Sequence, residues 1–151
     1  MTAATDSGIG TDRDIVSVSD GVARLLAAAR IGVLGTQRAD GTLRQSVVYF
    51  LADGDSIYIT TEVRRAKVRD VQRTGRASLC VLGTDAPFPS VTLEGHAEIL
   101  RTGIADLSAR LLARISGSEP PELADEGLAA VGRVLLRIDP DHVYGASHLP
   151  A

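Results

Sequence analysis

At 151 residues the chain suffices for one domain with a real core and is too short for two comfortable ones. Hydrophobic residues make up 44%, the formal net charge is -3 and aromatic residues are only 3%; this fits a soluble globular protein and argues against a general nucleic-acid binder. A single cysteine excludes an internal disulfide and any multi-cysteine metal site, and no apolar run reaches the ~18 residues that span a bilayer.

Residues 1–16 are rich in Thr, Asp, Gly and Ala without periodicity and read as a tail with no signal-peptide pattern; residues 17–151 form the domain. Ser19 is a good N-cap, and Val22, Leu25, Leu26 and Ala29 follow at the spacing of an amphipathic helix. Ile31 to Gln37 reads as a strand, Asp40-Gly41 as a tight turn, Leu43 to Ala52 as the returning strand and Ser56 to Thr61 as a third. A basic helix is expected from about Arg64 to Thr74, ended by Gly75. Arg76 to Leu82 then reads as a buried strand, with Cys80 a packed, inert thiol. Ser90 to Leu100 alternates, with Val91, Leu93, Ala97 and Ile99 on one face and His96 on the other. Ile104, Leu107, Leu111 and Ile115 predict a helix, a shorter one spans about Glu122 to Ala130, and Arg133 to Ile138 is the last strand, stopped by Pro140. Tight turns between strands predict a mainly β, antiparallel meander closing into a small barrel with flanking helices. The three histidines lack metal-ligand spacing, and no nucleotide-loop or hydrolase motif occurs, so no metal site is expected.

The segment from Glu62 to Arg76 carries six cations against two carboxylates, a basic island in an acidic chain. Charge alone favours a solvated helix face over an anion site. The order of residue types shifts that balance. A strand ending Thr60-Thr61, then Arg65-Ala66-Lys67, a helical stretch and Arg76-Ala-Ser-Leu79 resembles the flavin-phosphate segment of the pyridoxamine-phosphate-oxidase-like split-barrel proteins. It is most similar to their actinobacterial branch that uses the deazaflavin coenzyme F420. Ile31-Gly-Val-Leu-Gly-Thr36 with Asp40-Gly41, Val47-Val-Tyr-Phe50, Arg133 to Ile138 and His142-Val-Tyr-Gly145 agree in order with that family, over about residues 20 to 146.

The resemblance implies a six-stranded antiparallel split β-barrel, a homodimer, and a cofactor in the groove between subunits. Lys67 and Arg65 are implied to hold the cofactor phosphate, Thr60 and Thr61 to bond the phosphate or ribityl chain, and Gln45, Ser46, Val47 and Val48 to lie along the ring. Arg76 is either a further anion ligand or a structural salt bridge. Arg38 and Arg44 match cations placed near the acidic tail that distinguishes F420 from FMN. The implied activity is hydride transfer from reduced coenzyme F420 to an unsaturated small-molecule acceptor; the composition itself fits a cytoplasmic protein with neither nucleic acid nor membrane as partner. The alternatives are an FMN-dependent oxidoreductase of the same fold, or a non-catalytic flavin- or haem-binding module. No catalytic acid or base stands out; His142 and Tyr144 either approach the site or pack at the C-terminus. The chain lacks the Arg of the terminal Arg-x-His clamp of pyridoxamine-phosphate oxidases proper, which puts pyridoxal-phosphate synthesis in doubt.

Overall fold

A computed structural model describes residues 20–145; the expected tail, the Ser19 cap and the residues after Gly145 lie outside the described residues. The element order is α1 (Asp20–Ala28), β1 (Ile31–Gln37), β2 (Leu43–Asp53), β3 (Ser56–Glu62), α2 (Ala66–Thr74), β4 (Arg76–Leu82), β5 (Ser90–Leu100), α3 (Ala105–Ser116), α4 (Asp125–Ala130) and β6 (Arg133–Tyr144).

Every strand pairing is antiparallel, and the six strands close in the order β1-β2-β3-β6-β5-β4. The expected single meander is therefore two three-stranded meanders. Between them α2 carries the chain from β3 to β4, so that β4 lands beside β1 and β3 is left to pair with β6. Strand alternation sends one face of each strand inward. Leu34, Phe50, Ile59, Leu79, Leu93, Leu136 and Ile138 fill the interior, joined by Val22, Leu25 and Leu26 of α1 and Val71 of α2. Each such side chain, fully buried, stabilises the fold by about 1.5–3 kcal/mol. A second cluster, Ile104, Leu111, Leu128 and Leu135, with Leu51 and Tyr58 packed against it, lies where α3 and α4 cover the outside of β2, β3 and β6. That is why Val134, Leu135 and Leu136 are consecutive and all buried: β6 has core on both faces.

Pro140 does not stop β6. The strand continues to Tyr144, and Gly95 faces Pro140 while Glu94 faces His142, so Asp141 is the extra residue of a bulge. Gly95 permits this close approach: a Cβ there would lie 2.7 Å from Pro140 Cα and Asp141 N, and closer still to the Asp139 carbonyl. Cys80 also departs from expectation. It is exposed, because β4 alternates and turns Ala77, Leu79 and Val81 inward instead.

The outer face of β1 and β4, with the adjoining part of β2 up to Tyr49, is not covered by α3 or α4, which lie over the far end of β2, β3 and β6. Ile31, Val33, Val47, Tyr49 and Leu82 are exposed there, Val47 to 68%. Cross-strand pairs Ile31 with Tyr49 and Val33 with Val47 make them one apolar patch.

Candidate functional site

The first half of the site is the β3–α2 turn. Thr61 points into the barrel, 5% exposed, whereas Thr60 points outward beside Leu135, so the two hydroxyls serve opposite faces. The Arg65 amide donates to Glu62 O at 3.0 Å, closing the turn, and Arg65 itself is extended (φ -70°, ψ 146°), so the helix starts at Ala66 rather than Arg64. No side chain caps α2 and no carboxylate lies in its first turn. The Val68 amide donates to the Arg65 carbonyl at 3.0 Å, which leaves the Ala66 and Lys67 amides ahead of it without an intrahelical acceptor, and the helix dipole adds positive potential at that point. Arg64 and Arg65 both reach Glu62, at 3.1 and 3.4 Å.

Lys67 differs from these neighbours. Its ammonium is half-buried and has no acceptor among the described residues; burial lowers its pKa from the ordinary 10.5, and the charge of Arg65 lowers it further. It is the chain's sole lysine among sixteen basic residues. A half-buried cation with no acceptor among the described residues, beside a helix N-terminus that no side chain caps, has the chemistry to take an anion.

The second half lies at the other end of α2, about 10 Å along its axis. Here a groove of about 390 Å³ is lined by Arg44, Gln45 and Arg76, together with Thr36, Ser78 and Glu94. Gly35 shapes its floor, since a Cβ there would sit 2.9 Å from Ser78 Oγ. Arg44 Nε donates to Asp70 at 2.7 Å. Arg76 is bidentate to Asp141, both bonds 2.9 Å, which is the structural salt bridge left open by the sequence. The bond from Arg76 lowers the Asp141 pKa against the opposing effect of burial. Arg38 sits on the β1–β2 hairpin with its guanidinium donating to Leu43 O, while Asp40 ties the turn through Thr42 N at 3.0 Å. Tyr144 donates its hydroxyl to Glu94 at 3.1 Å and stacks at a tilt on His142, ring centres 5.1 Å apart; burial and then Glu94 raise the Tyr144 pKa.

The structure thus brings together Arg44, Gln45 and Arg76 in one groove, and Arg65 with Lys67 at one helix end, without merging the two sets. On β2, Gln45 and Val47 face outward while Ser46 and Val48 face inward, Val48 within the core. A ring lying on the outer face therefore meets the first pair by side chain and the second by backbone only. Sequence reasoning passed over Asp70, Ser78 and Glu94. For Asp70 a signal existed, a lone carboxylate adjoining the apolar stripe of a basic helix between Val68 and Val71. Among the described residues no cluster of His, Cys, Asp and Glu could hold a metal, and no helix is long and apolar enough to cross a membrane.

A closed six-stranded antiparallel barrel, two meanders linked by a basic helix, is the split-barrel architecture of flavin- and deazaflavin-related oxidoreductases. Residues 18–146 match the pyridoxamine 5'-phosphate oxidase family, and the chain belongs to it. Among solved structures it is similar to an F420 reductase at 27% identity, covering 83% of this chain and 98% of that one, with TM-score 0.68. The conserved hypothetical protein Rv2991 from Mycobacterium tuberculosis is 21% identical over 99% of this chain and 97% of that one, TM-score 0.71. The haem storage protein HutZ from Vibrio cholerae, at 14% identity, covering 82% and 90%, TM-score 0.61, shares the fold. No curated protein matches the chain in sequence.

Proposed function

We propose that this chain is a homodimeric reductase that binds coenzyme F420 and serves an unsaturated small-molecule acceptor. The observation that carries the reading is Lys67: a half-buried ammonium with no acceptor among the described residues, beside the N-terminus of α2, which no side chain caps, in a chain similar to an F420 reductase. A cofactor phosphate fits that place, because it supplies the missing acceptor and the anion that the helix end favours. Lys67 and Arg65 would hold the phosphate, with Thr60 or Thr61 beside it. Gln45 and Val47 would meet the ring on the outer face, Ser46 and Val48 acting through backbone. Arg38, Arg44 and Arg76 would set the positive potential around the acidic tail, although Arg76 spends both its terminal groups on Asp141. When bound and reduced, the deazaflavin supplies a hydride to the acceptor. The protein's part is to anchor the phosphate, orient the ring and exclude water.

A second subunit belongs in the reading because Ile31, Val33, Val47, Tyr49 and Leu82 form an apolar patch that none of the described residues covers. A twofold partner would bury that patch and wall the groove. FMN is the competing ligand, since a phosphate at Lys67 serves both cofactors. Titrations of the deazaflavin and of FMN at low and high salt separate them. Tail contacts to partly exposed arginines are worth about 0.2–1 kcal/mol each and are screened by salt, so the deazaflavin preference should shrink as salt rises and with Arg38→Ala. Tighter FMN binding by the wild type would reverse the assignment.

A further inference from the structure

Among the described residues Asp70 is the only buried charged side chain, 3% exposed, and it takes no part in lining the groove. It is nevertheless bonded to residues that do. Thr36 Oγ1 at the end of β1 donates to Asp70 Oδ2 at 2.8 Å, and Arg44 Nε at the start of β2 donates to the same oxygen at 2.7 Å. Arg73 of α2 approaches the other oxygen at 3.5 Å and donates to the carbonyl of Gln37. Three elements, β1, β2 and α2, are thus tied at one carboxylate. Arg44 is bonded through Nε alone; its Nη1 and Nη2 groups have no acceptor among the described residues, and the side chain is 28% exposed at the groove.

We propose that Asp70 is a positioning residue: by holding Arg44 at Nε, it presents the two free Nη groups to the groove as a fixed receptor for a carboxylate. A planar guanidinium pairs with a carboxylate through two parallel N–H bonds, which requires a set orientation. A long side chain left to rotate would have to be ordered by the ligand at an entropic cost. Asp70 removes that cost in advance, because its own orientation is fixed by burial and by Thr36. The deazaflavin reading enters only in naming the carboxylate, which would be the acidic tail of the cofactor.

Electrostatics and positioning predict opposite signs, which makes the role testable. Asp70→Asn keeps the shape and removes one negative charge near the groove. If Asp70 were only a nearby charge, an anion would bind the variant more tightly. If it positions Arg44, binding weakens despite the gained positive charge.

The experiment uses full-length protein labelled with ¹⁵N-arginine, as wild type, Asp70→Asn, Arg44→Ala and the double variant, titrated with citrate and separately with the deazaflavin. In the wild type the Arg44 Nε–H signal should be slow to exchange with water, and citrate should shift the Arg44 signals. Asp70→Asn should broaden that signal and weaken citrate at least about fivefold while the melting transition remains cooperative. Arg44→Ala should lose as much, and the double variant no more, since a residue acting through another adds nothing once that other is gone. Tighter citrate binding by Asp70→Asn, additive losses in the double variant, or a wild-type Arg44 signal indifferent to citrate would each overturn the proposal. Citrate results as expected with no deazaflavin binding by the wild type would uphold Asp70 and remove the cofactor assignment instead.

Discussion

Because Lys67 is the only lysine, isotope-labelled lysine reports one side chain, and the proposed phosphate contact can be observed directly. The perturbation is the addition of FMN, or of the deazaflavin, to wild type and to Lys67→Ala. In the free protein burial and the Arg65 charge hold the ammonium below its ordinary pKa of 10.5. The folded state then binds this proton more weakly than the unfolded chain, so Lys67 detracts from stability below its folded pKa, and stability rises as pH climbs through the interval up to 10.5. A phosphate beside it favours the charged form, which raises the pKa and reverses that trend. One charged hydrogen bond contributes about 1.5–3 kcal/mol, or about 10- to 100-fold in affinity. Partial exposure places the expectation near tenfold for Lys67→Ala. The assay is NMR titration of the lysine side chain with pH, with and without ligand, beside fluorescence binding curves. A lysine pKa unmoved by either ligand, with equal affinities for wild type and Lys67→Ala, would refute the phosphate assignment.

Light scattering at micromolar concentration should give twice the chain mass, and a charged replacement at Val47 should shift the species toward monomer; a wild-type monomer would remove the proposed groove wall. Gly95→Ala should destabilise the fold by about 3 kcal/mol, measured by denaturant unfolding, because the clashing atoms are backbone. Arg76→Ala should cost only about 0.2–1 kcal/mol, since both partners of its ion pair are substantially exposed. Asp70→Asn should cost about 1–3 kcal/mol at neutral pH. Burial pushes the Asp70 pKa up, but bonds from Arg44 and Thr36 outweigh it and hold the pKa below 3.8. Its stabilisation is therefore complete above that value and lost as pH falls through the lower folded pKa, so the acid limb of a stability–pH curve should flatten in the variant.

The six strands, the Asp40-Gly41 hairpin, the Gly75 helix stop and the family were all legible in the residues, because each depends on local chemistry: alternation, a turn that needs positive φ, a left-handed cap. The candidate site was read as residue types in order; of that reading the structure shows Arg65 as the residue before α2 and Lys67 in its first turn. What the residues next to Pro140 could not reveal is that a glycine on the neighbouring strand, Gly95, makes room for a bulge. Strand order was equally hidden, since a turn of a given length does not say which edge the next strand will meet; α2 decided it by carrying the chain from β3 to β4 at the edge of β1. The partners of the cations were the largest gap. Arg44, Arg65 and Arg76 have similar local contexts in sequence, yet their carboxylates are 26, 3 and 65 residues away. Only tertiary structure distributes those carboxylates, and among the described residues it places none on the half-buried Lys67.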